Sequence, residues 1–213
     1  MGKIEFNDLK ITVFGHASTM IKVQNKISYI DPFILPDNPE KADLIIFTHD
    51  HFDHCVDPSK IKKEDTILIG RNCKYQQEDI APSQMFEKIG IKIKAVDAYN
   101  LNNPFHKKGE CIGVILDING TKIYHAGDTE FIPEMKNPEY KCDIALLPCG
   151  GKFTMDPDQA FEAVKAIKPK LVIPIHYEAG FDVNPQPLPY GKQDIEELKN
   201  KIQELGIRCE IFY

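Results

Sequence analysis

Apolar residues fall in short runs along the chain, several alternating with polar ones, and that period suits strands better than helices. In the first third the pattern predicts strands over 4–6, 9–14, 20–23 and 27–30, with Asn7-Asp8 and Asn25-Lys26 at the turns, which makes a meander. After a Pro-rich stretch over 31–39, the run 44–48 is too short for a helix and reads as a buried strand. Another strand is expected at 66–69, and 91–96 alternates Ile and Lys as a half-exposed strand does, while 75–79 stays ambiguous. Further on, 113–118 and 122–125 flank Asn119-Gly120, a strong hairpin signal, and 144–147 and 171–175 are apolar strands. Between these two, Asp156 caps a helix that begins at Pro157, carries Gln159 third and Phe161, Val164 and Ile167 beyond it, and stops at Pro169. Ile195, Leu198, Ile202 and Leu205 recur at helical steps, with Gly206 as the stop and a closing strand over 207–212. No repeat is visible in the residues themselves. The economical architecture is one domain, 1–213, in which two β-rich halves, roughly 1–97 and 98–213, share a core.

Composition narrows the class. With 42% hydrophobic and 27% charged residues in 213, the chain is neither a disordered tail nor a fibrous repeat. The longest stretch without an acidic or basic side chain, 11–21, falls short of the ~20 apolar residues that span a bilayer, so no membrane partner is expected. The first ten residues carry charges where a secretion signal needs an apolar run, which points to the cytoplasm. A net charge of −6 argues against nucleic acid as a partner. The six cysteines, Cys55, Cys73, Cys111, Cys142, Cys149 and Cys209, form no C-x-x-C pair and read as reduced, mostly buried thiols.

The signal for function is Thr48-His49-Asp50-His51-Phe52-Asp53-His54, directly after a predicted buried strand. His49, His51, Asp53 and His54 offer imidazole and carboxylate without thiolate, a set that suits Zn²⁺, Fe²⁺ or Mn²⁺. Two ions need more donors than one loop supplies. His106, His125, Asp128 and His176, each on a loop or at a strand end, can complete the set. Gly150-Gly151-Lys152 is no phosphate loop, because Leu146 stands at the first glycine position and Phe153 replaces Ser or Thr. The segment 180–190, with Pro185, Pro187 and Pro189, is either a lid or a surface connection.

The pattern resembles the metallo-β-lactamase superfamily, whose hallmark is H-x-H-x-D-H after a strand. Asp31, the run from His49 to His54, His106, Asp128 in Y-H-A-G-D-T, and His176 in I-P-I-H-Y follow the family's order over nearly the whole chain. Gly15-His16-Ala17, L-L-P-C-G-G and T-M-D-P look more narrowly like the metal-dependent hydrolases related to ascorbate-6-phosphate lactonase. The resemblance implies an α/β fold, a four-layered αββα sandwich. It also implies two divalent ions, zinc first with manganese or iron as alternatives. His49, His51 and His106 would hold one, Asp53, His54 and His176 the other, with Asp128 bridging and, with Asp53, catalytic. Activity expected on that basis is hydrolysis of a small ester, lactone or phosphoester by a hydroxide shared between the ions. The alternatives are a mononuclear-iron oxidoreductase similar to persulfide dioxygenases and, less favoured for want of a basic arm, an RNA-processing nuclease. Around the ligands, Asp31 is expected to orient an imidazole, His125 to pack behind the site as the rival of His106, and His16 and Tyr177 to line the substrate pocket. Homo-oligomerisation is left open.

Overall fold

A computed structural model describes residues 1–101, 103–177 and 188–212. Its first sheet orders seven strands as they occur in the chain: β1 (Gly2–Phe6), β2 (Leu9–Gly15), β3 (Ser18–Val23), β4 (Lys26–Ile30), β5 (Leu44–Phe47), β6 (Ile67–Gly70) and β7 (Glu78–Asp79). The second sheet does the same with β8 (Met85–Lys88), β9 (Ile91–Ala98), β10 (Cys111–Ile118), β11 (Thr121–His125), β12 (Ile144–Pro148), β13 (Leu171–Ile175) and β14 (Arg208–Cys209). In each sheet the first four strands are antiparallel and the last three run parallel to the fourth. The chain is therefore one topology written twice, although the residues show no repeat.

The side-chain period explains the layering. Along β5, Leu44 and Ile46 enter the core between the sheets, while Ile45 and Phe47 pack outward. Along β12, Ile144 and Leu146 face inward, and Ala145 and Leu147 pack outward. Both faces of these strands are buried, so they read as unbroken apolar runs. The second sheet's outer face is covered by α1 (Pro157–Ile167) and α2 (Lys192–Glu204) through Val164, Ile167, Ile195, Leu198 and Ile202. Asp156 caps α1 by accepting from Gln159 N at 2.7 Å, and Lys168, at φ 55°, turns the chain out of the helix before Pro169. The first sheet's outer face is closed by Ala42, Ile61 and Cys73 on connecting segments and by a 3-10 turn at Pro58–Lys60; among the described residues no α-helix lies there. The result is an α/β sandwich whose described helices lie on one side.

Four expectations change. The division between the halves falls at 80–84 and not at 97, because β8 and β9 pair with the second sheet. Strand β8 alternates Met-Phe-Glu-Lys with only Phe86 packed against the core, too weak a pattern to read. The closing strand shrinks to β14. The fourth concerns sulfur: Cys55 and Cys73 form a disulfide across 18 residues, their Cα atoms 5.5 Å apart, so the reading of all six as reduced thiols is wrong for this pair. Folding brings together the loops after the histidine run and after β6, which no sequence spacing announces. Cys111, Cys142, Cys149 and Cys209 are free. The segment 180–190, read as either a lid or a surface connection, lies, from 180 to 187, outside the described residues. No helix among the described residues is long and apolar enough to cross a membrane.

Candidate metal centre

Strands that end at the same rim of the two sheets bring distant residues together. Thr48 to His54 follow β5, Asp128 follows β11, and His176 follows β13. Asp31, directly after β4, is fully buried and organises the motif from behind. Its carboxylate accepts from Thr48 N at 2.8 Å and Thr48 Oγ1 at 2.7 Å, and Oδ2 lies 2.8 Å from His54 Nδ1. The single Thr48 hydroxyl proton goes to Asp31, so at 3.0 Å His49 Nδ1 must donate to the Thr48 oxygen. His106, in the β9–β10 connection, has Nδ1 2.7 Å from Asn100 Oδ1 and 3.1 Å from Phe153 O. His49, His54 and His106 thus each tie down Nδ1 and turn Nε2 inward, the way protein imidazoles are prepared for a cation.

The inward atoms converge. Asp128 Oδ2 is 3.1 Å from His176 Nε2 and 3.5 Å from His106 Nε2, and its Oδ1 is 3.4 Å from His54 Nε2. His51 Nδ1 sits 3.1 Å from His106 Nε2. On the other side, His16 Nε2 lies 2.9 Å from Asp53 Oδ2, which is 4.0 Å from His54 Nε2. Two clusters of potential donors result, His49, His54 and Asp128 in one and His16, Asp53, His54 and His176 in the other, each within 4.8 Å. A third group, His49, His106 and Cys111, brings in a thiol that sequence reasoning missed, since a single distant cysteine carries no spacing signal.

Buried polar atoms normally find partners. Here Nε2 of His49 and His54, both nitrogens of His176 and Oδ1 of Asp128 are buried and make no hydrogen bond of acceptable geometry. Orphaned imidazole nitrogens around a carboxylate fit divalent cations in chemistry and in place. Electrostatics agree with such a set. Burial drives His49 well below its ordinary pKa and lowers His106 too. For Asp128 burial acts the other way, but His176 and His54 outweigh it and hold the carboxyl well below the usual range. Asp53, despite its own burial, is held at about 2, chiefly by the His16 contact.

The flanking residues sort out unevenly. Asp31 does accept from an imidazole, that of His54. His125 is fully buried, with Nε2 3.0 Å from Ala17 O and Nδ1 accepting from Gly127 N at 3.3 Å, so the backbone takes up both its nitrogens. Tyr177 is a correction: it packs in the outer core beside the helices, and its hydroxyl donates to Phe212 O at 2.7 Å. Packing and the carboxy-terminal segment claim it, not a pocket. Gly127, at φ 63°, lets the chain turn into Asp128, since a Cβ there would stand 2.6 Å from Ile112 O. His16, Asp31 and His176 adopt φ of 50°, 46° and 54°, a backbone region costly for non-glycine residues and typical of functional sites.

Comparisons with known proteins agree with this geometry. A model of the beta-lactamase superfamily domain matches residues 10–176. A UPF0173 metal-dependent hydrolase of Thermoplasma acidophilum is 41% identical over 196 residues, covering 83% of this chain and 86% of its own. Among solved structures, a protein from Parabacteroides distasonis superposes with a TM-score of 0.82 at 31% identity, covering 99% of this chain and 96% of that one. Igni18, a metallo hydrolase from the hyperthermophilic archaeon Ignicoccus hospitalis, gives 0.76 at 27% identity, with 96% and 94% covered.

Proposed function

Because this chain belongs to the metallo-β-lactamase superfamily and is a metal-dependent hydrolase, we propose that it holds two divalent cations and cleaves a small ester, lactone or phosphoester. His49, His51 and His106 would hold one cation and Asp53, His54 and His176 the other, with Asp128 available to both. Zinc is the first choice, with manganese or iron as alternatives. Bound there, the cations supply Lewis acidity and a water whose proton is lost near neutral pH. The protein does the rest. Asp31, Thr48, Asn100 and the Phe153 carbonyl fix the imidazoles by their outer nitrogens, so the inner nitrogens are aimed before any ligand arrives. Asp53, with its side chain 17% exposed and its carboxyl ionised, is the carboxylate on the open side and is placed to take up the proton that the attacking water gives up and hand it to a leaving oxygen.

The observation that carries this reading is the set of orphaned inner atoms on His49, His54, His176 and Asp128. Local wording like that of the ascorbate-6-phosphate lactonase relatives supports a lactone or phosphate-bearing small molecule, and the acidic balance supports a substrate other than nucleic acid. Asp128→Ala is the test. With folding checked by circular dichroism, the variant is expected to lose bound metal and hydrolysis together in a lactone and phosphodiester screen. Unchanged metal content with full turnover would remove the two-cation mechanism.

A further inference from the structure

His16 sits in the turn between β2 and β3, at φ 50° and only 7% exposed, and the fold maintains that conformation although nothing in a β-turn requires a histidine. Its surroundings account for it. Nε2 lies 2.9 Å from Asp53 Oδ2, and its ring lies over that of His176 with centroids 3.9 Å apart at 41°. The His16 carbonyl also accepts from His176 N at 3.0 Å. One residue of the first sheet's turn thus touches two of the three donors assigned above to the second cation, one carried by the loop after β5 and the other by the opposite sheet.

We propose that His16 is a positioning residue for the second cation: its Nε2–H holds one oxygen of Asp53 so that the other faces inward, and its ring and carbonyl fix where His176 stands. The role is selective. Among the described residues His16 makes no contact of this kind with His49, His51 or His106; Thr48 orients His49, and Asn100 and Phe153 orient His106. Losing it therefore disturbs one half of the centre. The inference rests on the two-cation reading, and the test separates the two.

Metal-stripped wild type, His16→Ala and His16→Gln are titrated with Co²⁺, following heat and visible absorption, with melting curves recorded for each. Wild type is expected to take two equivalents. In His16→Ala the first equivalent keeps its affinity while the second weakens ~10- to 100-fold, the usual effect of removing a group that orients a ligand. His16→Gln, whose amide can donate to Asp53, recovers most of that loss. At saturating Co²⁺ both variants keep the wild-type absorption envelope, since no ligand leaves the ion. A second equivalent of wild-type affinity in His16→Ala, or equal weakening of both, overturns the proposal. So does a Gln variant as weak as Ala with an altered envelope, which makes His16 itself a ligand. A single equivalent in wild type overturns the two-cation reading and this inference with it.

Discussion

A buried imidazole has two nitrogens to satisfy, and where each is spent separates residues that look alike in a sequence. His106 gives Nδ1 to Asn100 and Phe153 and leaves Nε2 3.5 Å from Asp128. His125, three residues before Asp128, gives one nitrogen to Ala17 O and the other to Gly127 N. Their substitution should have opposite consequences. His106→Ala is expected to lose ~100-fold in metal affinity by chelator competition with little change in melting. His125→Ala is expected to retain metal but to lose about 2–3 kcal/mol of stability in urea, because the buried Gly127 N–H loses its acceptor and the Ala17 carbonyl keeps only its bond from Thr19 Oγ1 at 3.2 Å. The reverse order of metal loss would transfer ligand status to His125. The histidine run was legible as a donor loop from spacing alone. The division between His106 and His125 was not, because it depends on which backbone groups the fold delivers to each ring.

At the scale of elements, the duplicated topology is pinned by the same device in both sheets. Asp43, just before β5, accepts from Ile27 N on β4 at 2.8 Å and from Lys63 Nζ at 2.8 Å. Asp143, just before β12, accepts from Lys122 N on β11 at 2.9 Å and pairs with Lys170 Nζ at 2.8 Å. In each case the aspartate's own backbone N–H returns a bond to the same strand residue, Ile27 O or Lys122 O. These carboxylates fix the register where each sheet changes from antiparallel to parallel pairing. Burial alone would raise the pKa of each, but the lysine and backbone contacts prevail and lower both. A folded pKa below the unfolded value means that the stabilisation is complete above the unfolded value, near 4, and disappears as pH falls through the folded one. Asp43→Ala should therefore cost about 2 kcal/mol at pH 7, with the gap from wild type in denaturant melts closing as the solution is acidified below about pH 4. A gap independent of pH would mean that the carboxylate's charge contributes nothing. Most strands and both helices were readable from periodicity and caps. The recurrence of topology was not, since it lies in pairing order, and the short likeness of Lys41-Ala42-Asp43-Leu44 to Lys141-Cys142-Asp143-Ile144 is too brief to announce a repeat.

For the molecule as a whole, the donors come from both sheets, so the site exists only when the two halves close on their shared core. The loop with most of the donors has a further restraint, the bond from Cys55, adjacent to His54, to Cys73 beyond β6. Cys55 also lines a cavity of about 510 Å³ together with Asp50, Phe52, Lys74 and Tyr75, an approach for a small dithiol. Closing a loop of this length is worth about 3 kcal/mol, so Cys55→Ser or treatment with dithiothreitol is expected to lower Tm by about 6–12 °C. Unchanged melting after verified cleavage would show the crosslink to be idle. Coupling a covalent tether to the ion-holding turn makes heat tolerance of the apoprotein a gauge of ambient electron supply: the same polypeptide is a sturdier vessel for its cations in oxidising surroundings than in thiol-rich ones.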